Sequence, residues 1–445
     1  MKRAFLLLAA TMLATPAAAQ TPGSPQSTTL RGGTIAITGG TVAIGDGSQP
    51  IEGGTVVMSN GRIVAAGRGV AVPAGAQVID ATGKWVAAGM VSAPTDLSLV
   101  DSEGVRESSD VRARETPFNA ALDVSVAVNP NSIKLANERV LGVTRALIAP
   151  SAGNSVFAGQ GAVIDLAADP DAVTRARAFQ FAELGEDGGQ NAGGTRPAAY
   201  AMLKDAFAQA QDYRRNPAAF DGRSRDSLLK RADAEVLVKV LDGAMPLLVH
   251  VERASDIRSV LGLTTDYPRL KLVLVGVAEG WMVAREIAAA RVPVIAQALA
   301  DLPASFEQVA ATESNAGRMR AAGVQVALAS TGASGGDHVL RQFAGNLVAI
   351  TRVPGHTGLD WGQAFAAITS GPAEALGMGA DFGSLRAGRR ADVVLWDGDP
   401  LELSSAPVSV WIDGVAQPMR SRQTDLRDRY LTPTEGALPK AYERR

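Results

Sequence analysis

The sequence predicts an α/β protein, a (β/α)8 barrel of TIM type flanked at both chain ends by small antiparallel β-units. Two patterns predict it. From about residue 85 to 377, apolar β-rich runs alternate with helical segments, as in a parallel barrel. On either side of that region, short β-branched runs are separated by turn residues instead of helices. At 445 residues, 46% hydrophobic and 20% charged, the chain has ample length for a large core.

Residues 1–20 (MKRAFLLLAATMLATPAAAQ) open with Lys2 and Arg3, run through an apolar centre and end on Ala17-Ala18-Ala19. This is the layout of a secretory signal peptide, with cleavage expected after Ala19. It places the mature protein in the periplasm or outside the cell. The apolar run is too short to span a bilayer, and no later segment is apolar enough to do so. Residues 20–32 are rich in Pro, Ser, Thr and Gly and predict a flexible N-terminus. Loss of Lys2 and Arg3 takes 43 basic residues to 41 against 45 acidic ones, a net charge of −4. That balance argues against nucleic acid or an anionic membrane as partner. The chain has no cysteine, which excludes disulfides and thiolate metal sites.

Residues 33–81 carry the short runs TIAI, TVAI, GTVVM, RIVAA and QVID, separated by Gly39-Gly40, Gly45-Asp46-Gly47 and Ser59-Asn60-Gly61. Asn60-Gly61 between two apolar runs signals a hairpin. The first β-unit is assigned to 33–84. Residues 83–97 (GKWVAAGMVSAPTDL) then read as an apolar strand ending in polar residues, the first strand of the barrel and part of its chemical rim. Further strands are predicted at 142–150, 245–251, 270–277, 292–295 and 324–330. Helices are predicted at 196–215, 226–242, 254–261, 278–290, 307–322 and 359–376. After the barrel (85–377), VVLW (393–396) and VSVWI (408–412) with the turn Asp397-Gly398-Asp399-Pro400 give a second β-unit over 378–425. Residues 426–445 form a tail.

Several stretches resemble the amidohydrolase superfamily. Residues 83–91 resemble its first barrel strand, G-K-x-V-x-P-G-L-I-D-x-H-x-H. Residues 383–400 (GSLRAGRRADVVLWDGDP) resemble its ending. Residues 149–163 (APSAGNSVFAGQGAV) resemble a loop of its imidazolonepropionase-like branch. The resemblance implies that 33–84 and 378–425 pair into one β-sandwich domain beside the barrel. It also implies hydrolysis of carbon–nitrogen bonds other than peptide bonds, such as those of cyclic amides, by zinc or another divalent metal. The family's ligands sit at strand ends: a histidine pair on the first, often a Lys or Glu on the fourth, a His on the fifth and on the sixth, and an Asp on the eighth.

Carried across residue by residue, the histidine pair falls on Pro94 and Asp96. The fifth-strand histidine is His250. The sixth falls on Gly276, with Glu279 kept just beyond it, and the eighth-strand aspartate falls on Thr331. No fourth-strand Lys or Glu can be placed. One matched ligand with Asp96 falls short of the three that catalytic zinc normally has. The expectation is therefore no bound metal or other cofactor, with His250, Asp96 and Glu279 lining a pocket. His338 and His356 follow the last strand with no ligand spacing. Asp337-His338 reads as a cap rather than an acid–base pair. Gly332-Ala333-Ser334-Gly335-Gly336 has the letters of a nucleophile elbow but lacks its α/β-hydrolase context. Residues 153–161 and 183–194 are Gly-rich and read as loops at the barrel mouth, the second solvated.

Taken alone, the sequence favours a non-catalytic, ligand-binding or accessory subunit over an active enzyme with an atypical site. Its partners would be a small molecule, an intact homologue or a second copy of the chain.

Overall fold

The computed structural model describes residues 33–102, 104–218, 220, 229–329 and 336–431. The signal peptide, residues 20–32, most of the tail, Thr331 and the 332–335 part of the Gly-rich loop lie outside the described residues. In chain order the strands are β1 (Ile35–Ala43), β2 (Ile51–Ser59), β3 (Arg62–Gly67), β4 (Gln77–Asp80), β5 (Trp85–Ala88), β6 (Met90–Thr95), β7 (Val143–Ile148) and β8 (Phe157–Asp165). They continue with β9 (Val173–Glu183), β10 (Leu247–Val251), β11 (Leu272–Gly276), β12 (Val294–Gln297), β13 (Val326–Ala329), β14 (Val393–Trp396), β15 (Pro407–Ile412) and β16 (Val415–Ala416).

Strands from the two chain ends share one hydrogen-bonded sheet, in the order β16-β15-β14-β5-β1-β2-β3, with β4 also paired to β1. β2 and β3 form the hairpin signalled by Asn60-Gly61, both of which take positive φ (50° and 75°), as a tight turn between twisted strands requires. β14 pairs antiparallel with β5.

β6 through β13 form the barrel sheet in sequence order. The apolar run at 85–91 is not one strand. It divides at Gly89: β5 belongs to the terminal sheet and β6 to the barrel. At this crossing the chain passes close to β7, where a Cβ on Gly89 would lie 2.2 Å from the Thr144 Oγ1. The barrel also departs from strict strand–helix alternation. β7, β8 and β9 are successive antiparallel neighbours, whereas β6–β7 and β9 through β13 pair in parallel. Residues 149–163, read as a loop, therefore enter β8. At Gly161 the missing side chain leaves room for Phe179, whose ring a Cβ would meet at 2.2 Å.

The helix Arg196–Arg215 has the predicted limits. Thr195 caps it by accepting from the Ala198 N–H, a proline sits in its first turn, and Leu203, Phe207 and Ala210 form its buried face. The helix predicted at 307–322 covers only Asn315–Ala321, so Glu307 sits on a loop after β12. Among the described residues, no helix is long and apolar enough to cross a membrane.

Arg145 on β7 ties the barrel to the terminal sheet. Its fully buried guanidinium donates to Asp392 from Nε (2.5 Å) and Nη2 (3.1 Å), to Asp413 from Nη2 (2.8 Å) and to Thr174 from Nη1 (2.6 Å). Asp165 lies 3.8 Å from it.

Candidate functional site at the barrel mouth

The parallel register of β9 and β10 sets Glu183 directly beside His250 at the carboxyl ends of the two strands. His250 Nδ1 lies 2.8 Å from Glu183 Oε2, and Nε2 lies 3.1 Å from Glu252 Oε1. Immediately after β9, Gly185 takes a left-handed φ of 72° and starts the short helix Gly185–Asn191, which brings Asp187 to the same point. Ligand atoms of Glu183, Asp187 and His250 all lie within 4.8 Å of one another. The set supplies one imidazole and two carboxylates, the number of protein donors that a catalytic divalent cation normally takes.

The electrostatics fit such a site. Burial works against charge on His250, but the Glu183 and Glu252 carboxylates together outweigh it, and the pKa is raised well above that of a free histidine. Two carboxylates thus favour positive charge at the ring, where a cation would sit. Glu307 reaches in from the loop after β12. Its Oε2 accepts from the Glu186 N–H (2.7 Å) and from Arg196 Nη2 (3.0 Å), bracing the helix that carries Asp187. Burial raises the Glu307 pKa despite those two donors.

The sequence-derived positions fare differently. His250 is at the centre. Asp96 is exposed just beyond β6, and Pro94 is buried within that strand. Gly276 ends β11 without a side chain, and Thr331 is outside the described residues. Glu279 is buried and accepts from the Ala254 N–H (2.9 Å) and the Ala310 N–H (3.1 Å). Asp337 accepts from Ser92 Oγ (2.5 Å) and Thr95 Oγ1 (3.0 Å), while His338 pairs with Glu138. His356 lies 3.8 Å from Glu313.

Sequence reasoning missed Glu183, Asp187 and Glu252. Glu183 fills the fourth-strand place left unassigned, because the run AFQFAE before it is the buried end of a strand rather than part of a loop. Residues 183–194 are accordingly not a solvated loop but the end of β9 and a helix with Gly185, Gly188 and Gly189 buried.

Comparison with known proteins places this site in context. Residues 228–421 match the sequence pattern of the Amidohydrolase family. Over that stretch, a little under half of its length, the chain resembles the amidohydrolases. A stretch of 62 residues is 53% identical to the amidohydrolase tasK of Hapsidospora irregularis, covering 14% of this chain and only 6% of that protein. The fold resembles that of an amidohydrolase from Thermotoga maritima, with a TM-score of 0.76 and 23% identity over 87% of this chain and all of the other. It also resembles an adenosine deaminase from Xanthomonas campestris with bound zinc, with a TM-score of 0.51 and 17% identity over 88% of this chain and 96% of that one. The expectation of a chain without metal is overturned. It counted only the positions that could be placed from the sequence, whereas Glu183, at the fourth-strand place, and Asp187 converge on His250 in the fold.

Proposed function

We propose that the protein is an exported, divalent-metal-dependent hydrolase that cleaves carbon–nitrogen bonds in small molecules, cyclic amides among them. The observation that carries this reading is the convergence of Glu183, Asp187 and His250 at the carboxyl ends of barrel strands. The family match over residues 228–421 and the imidazolonepropionase-like stretch at 149–163 support the substrate class. Export rests on the signal-peptide layout of residues 1–20.

Glu183, Asp187 and His250 would hold the cation. When bound, a divalent cation acidifies water and polarises a carbonyl. Glu307 and Arg196 keep the Asp187 helix seated. Leu302, Phe306 and Val309, on the same loop as Glu307, are 80%, 89% and 66% exposed. They offer apolar surface at the mouth to a substrate with an alkyl or aryl group.

A second reading is an accessory subunit that pairs with an intact homologue or a second copy. Its support is that Pro94 and Gly276 carry no ligand atom where the family has histidines. One experiment separates the two. The mature protein is dialysed against zinc, manganese or cobalt, its metal is counted by mass spectrometry, and it is assayed on cyclic amides. One ion per chain with turnover, both lost in His250→Ala, supports the hydrolase. No retained ion and no turnover, with an intact homologue co-purifying, supports the accessory role. N-terminal sequencing of periplasmic protein tests export, with Gln20 as the expected first residue.

A further inference from the structure

We infer that Glu252 is a positioning residue of this centre, fixing His250 so that Nδ1 is the ligand atom, and that residue 276 is glycine to make room for it. The inference rests on the metal-centre reading above.

The two ring nitrogens of His250 point to different carboxylates. Nδ1 faces Glu183, a member of the converging set, and Nε2 faces Glu252, which is not a member. One imidazole cannot offer both nitrogens to one cation. The side with the converging carboxylates takes the metal, and the other nitrogen keeps its hydrogen and donates it to Glu252. A carboxylate behind a ligating histidine fixes ring orientation and tautomer in this way.

Glu252 is itself held rigidly. It is buried, and its Oε2 accepts from the Ala278 N–H at 2.6 Å. That N–H is aimed by an unusual stretch of backbone: Gly276 and Val277 both take left-handed φ, 86° and 50°. A β-branched residue is a true outlier there. Val277 is kept in place by its N–H to the Val251 carbonyl (2.9 Å) and by Asn315 Nδ2 donating to its own carbonyl (2.9 Å). Strain maintained by several surrounding bonds beside a chemical site is a mark of function.

Gly276 completes the device. A Cβ at this position would lie 2.6 Å from Glu252 Oε1 and 2.9 Å from His250 Cδ2. Any side chain on residue 276 and the Glu252 carboxylate therefore compete for the same space. The missing sixth-strand ligand and the carboxylate behind His250 are one exchange.

The test titrates apo protein with cobalt(II) and follows the visible d–d bands and the dissociation constant. Glu252→Gln should weaken binding about 10-fold and Glu252→Ala about 100-fold, with altered bands. Gly276→Ala should weaken binding by pushing Glu252 aside, and should cost less in the Glu252→Ala background, where only the contact with His250 and the left-handed backbone remain. Far-UV circular dichroism confirms that each variant is folded, and Glu252→Gln, nearly isosteric, stands in if an alanine variant is not. Unchanged affinity and bands in folded Glu252 variants overturn the positioning role, as do fully additive effects of the two substitutions. Wild-type protein that takes up no cobalt overturns the metal centre itself, and the inference with it.

Discussion

Replacing Arg145 with methionine should cost about 3–5 kcal/mol of stability, the usual loss when one partner of a buried ion network is removed. The structure says why the upper part of that range applies. The arginine side chain is fully buried, and Asp392 and Asp165 beside it are only 5% and 10% exposed. Asp413 retains Arg390, whose Nη1 donates to it at 2.9 Å, but the other two carboxylates lose their cation. Methionine fills the volume, so the loss reflects stranded charge rather than a cavity. Urea unfolding followed by tryptophan fluorescence reads it, because Trp411 lies on β15 two residues before Asp413. The stranded carboxylates should bind protons in the native state at pH values where the unfolded chain has released them. The deficit should therefore shrink as pH is lowered toward 4. Adding Asp165→Asn to Arg145→Met should recover at least about 1 kcal/mol by removing one stranded charge. A loss below about 1 kcal/mol, or no recovery in the double variant, would refute the reasoning.

Asp165 itself gives a pH prediction: burial outweighs Arg145 and the Ala167 N–H and pushes its carboxyl up to about 6. The native state thus holds a proton that the unfolded chain has lost, a stabilisation complete below the ordinary carboxyl range and lost as pH rises through about 6. Asp165→Asn should therefore gain on wild type between pH 4 and 6 in parallel thermal melts, then hold level; a flat difference would contradict it. Gly161→Ala should destabilise by about 1–3 kcal/mol in urea unfolding, since the new methyl meets the Phe179 ring at 2.2 Å and the Ile148 carbonyl at 2.7 Å. Glu307→Ala should free the Gly185–Asn191 helix, speeding amide exchange at Glu186 and weakening metal affinity about 10-fold, whereas protection equal to wild type would show that the helix stands without it.

Local chemistry made much of this architecture legible. Asn60-Gly61 announced a hairpin because a tight turn needs left-handed residues, and both have positive φ. The helix Arg196–Arg215 was marked by the spacing of its apolar face. His250 was marked by its match to the fifth-strand histidine of the family pattern, near the end of an apolar run. By contrast, the split at Gly89 was hidden, because two strands of different sheets join there with no polar break. The antiparallel β8 was hidden because an apolar run does not declare its direction.

From the chain alone came the barrel class and the β-rich ends, since periodicity and turn residues are properties of neighbours in sequence, while His250 came from the family resemblance carried across residue by residue. Only the folded molecule decided that Glu183 stands beside His250, that Asp187 joins them, and that Glu252 occupies the space Gly276 leaves open. Those facts depend on strand register and on contacts between residues up to 67 positions apart. A carboxylate becomes a ligand or a support through the charges and space around it, and the tertiary packing sets both.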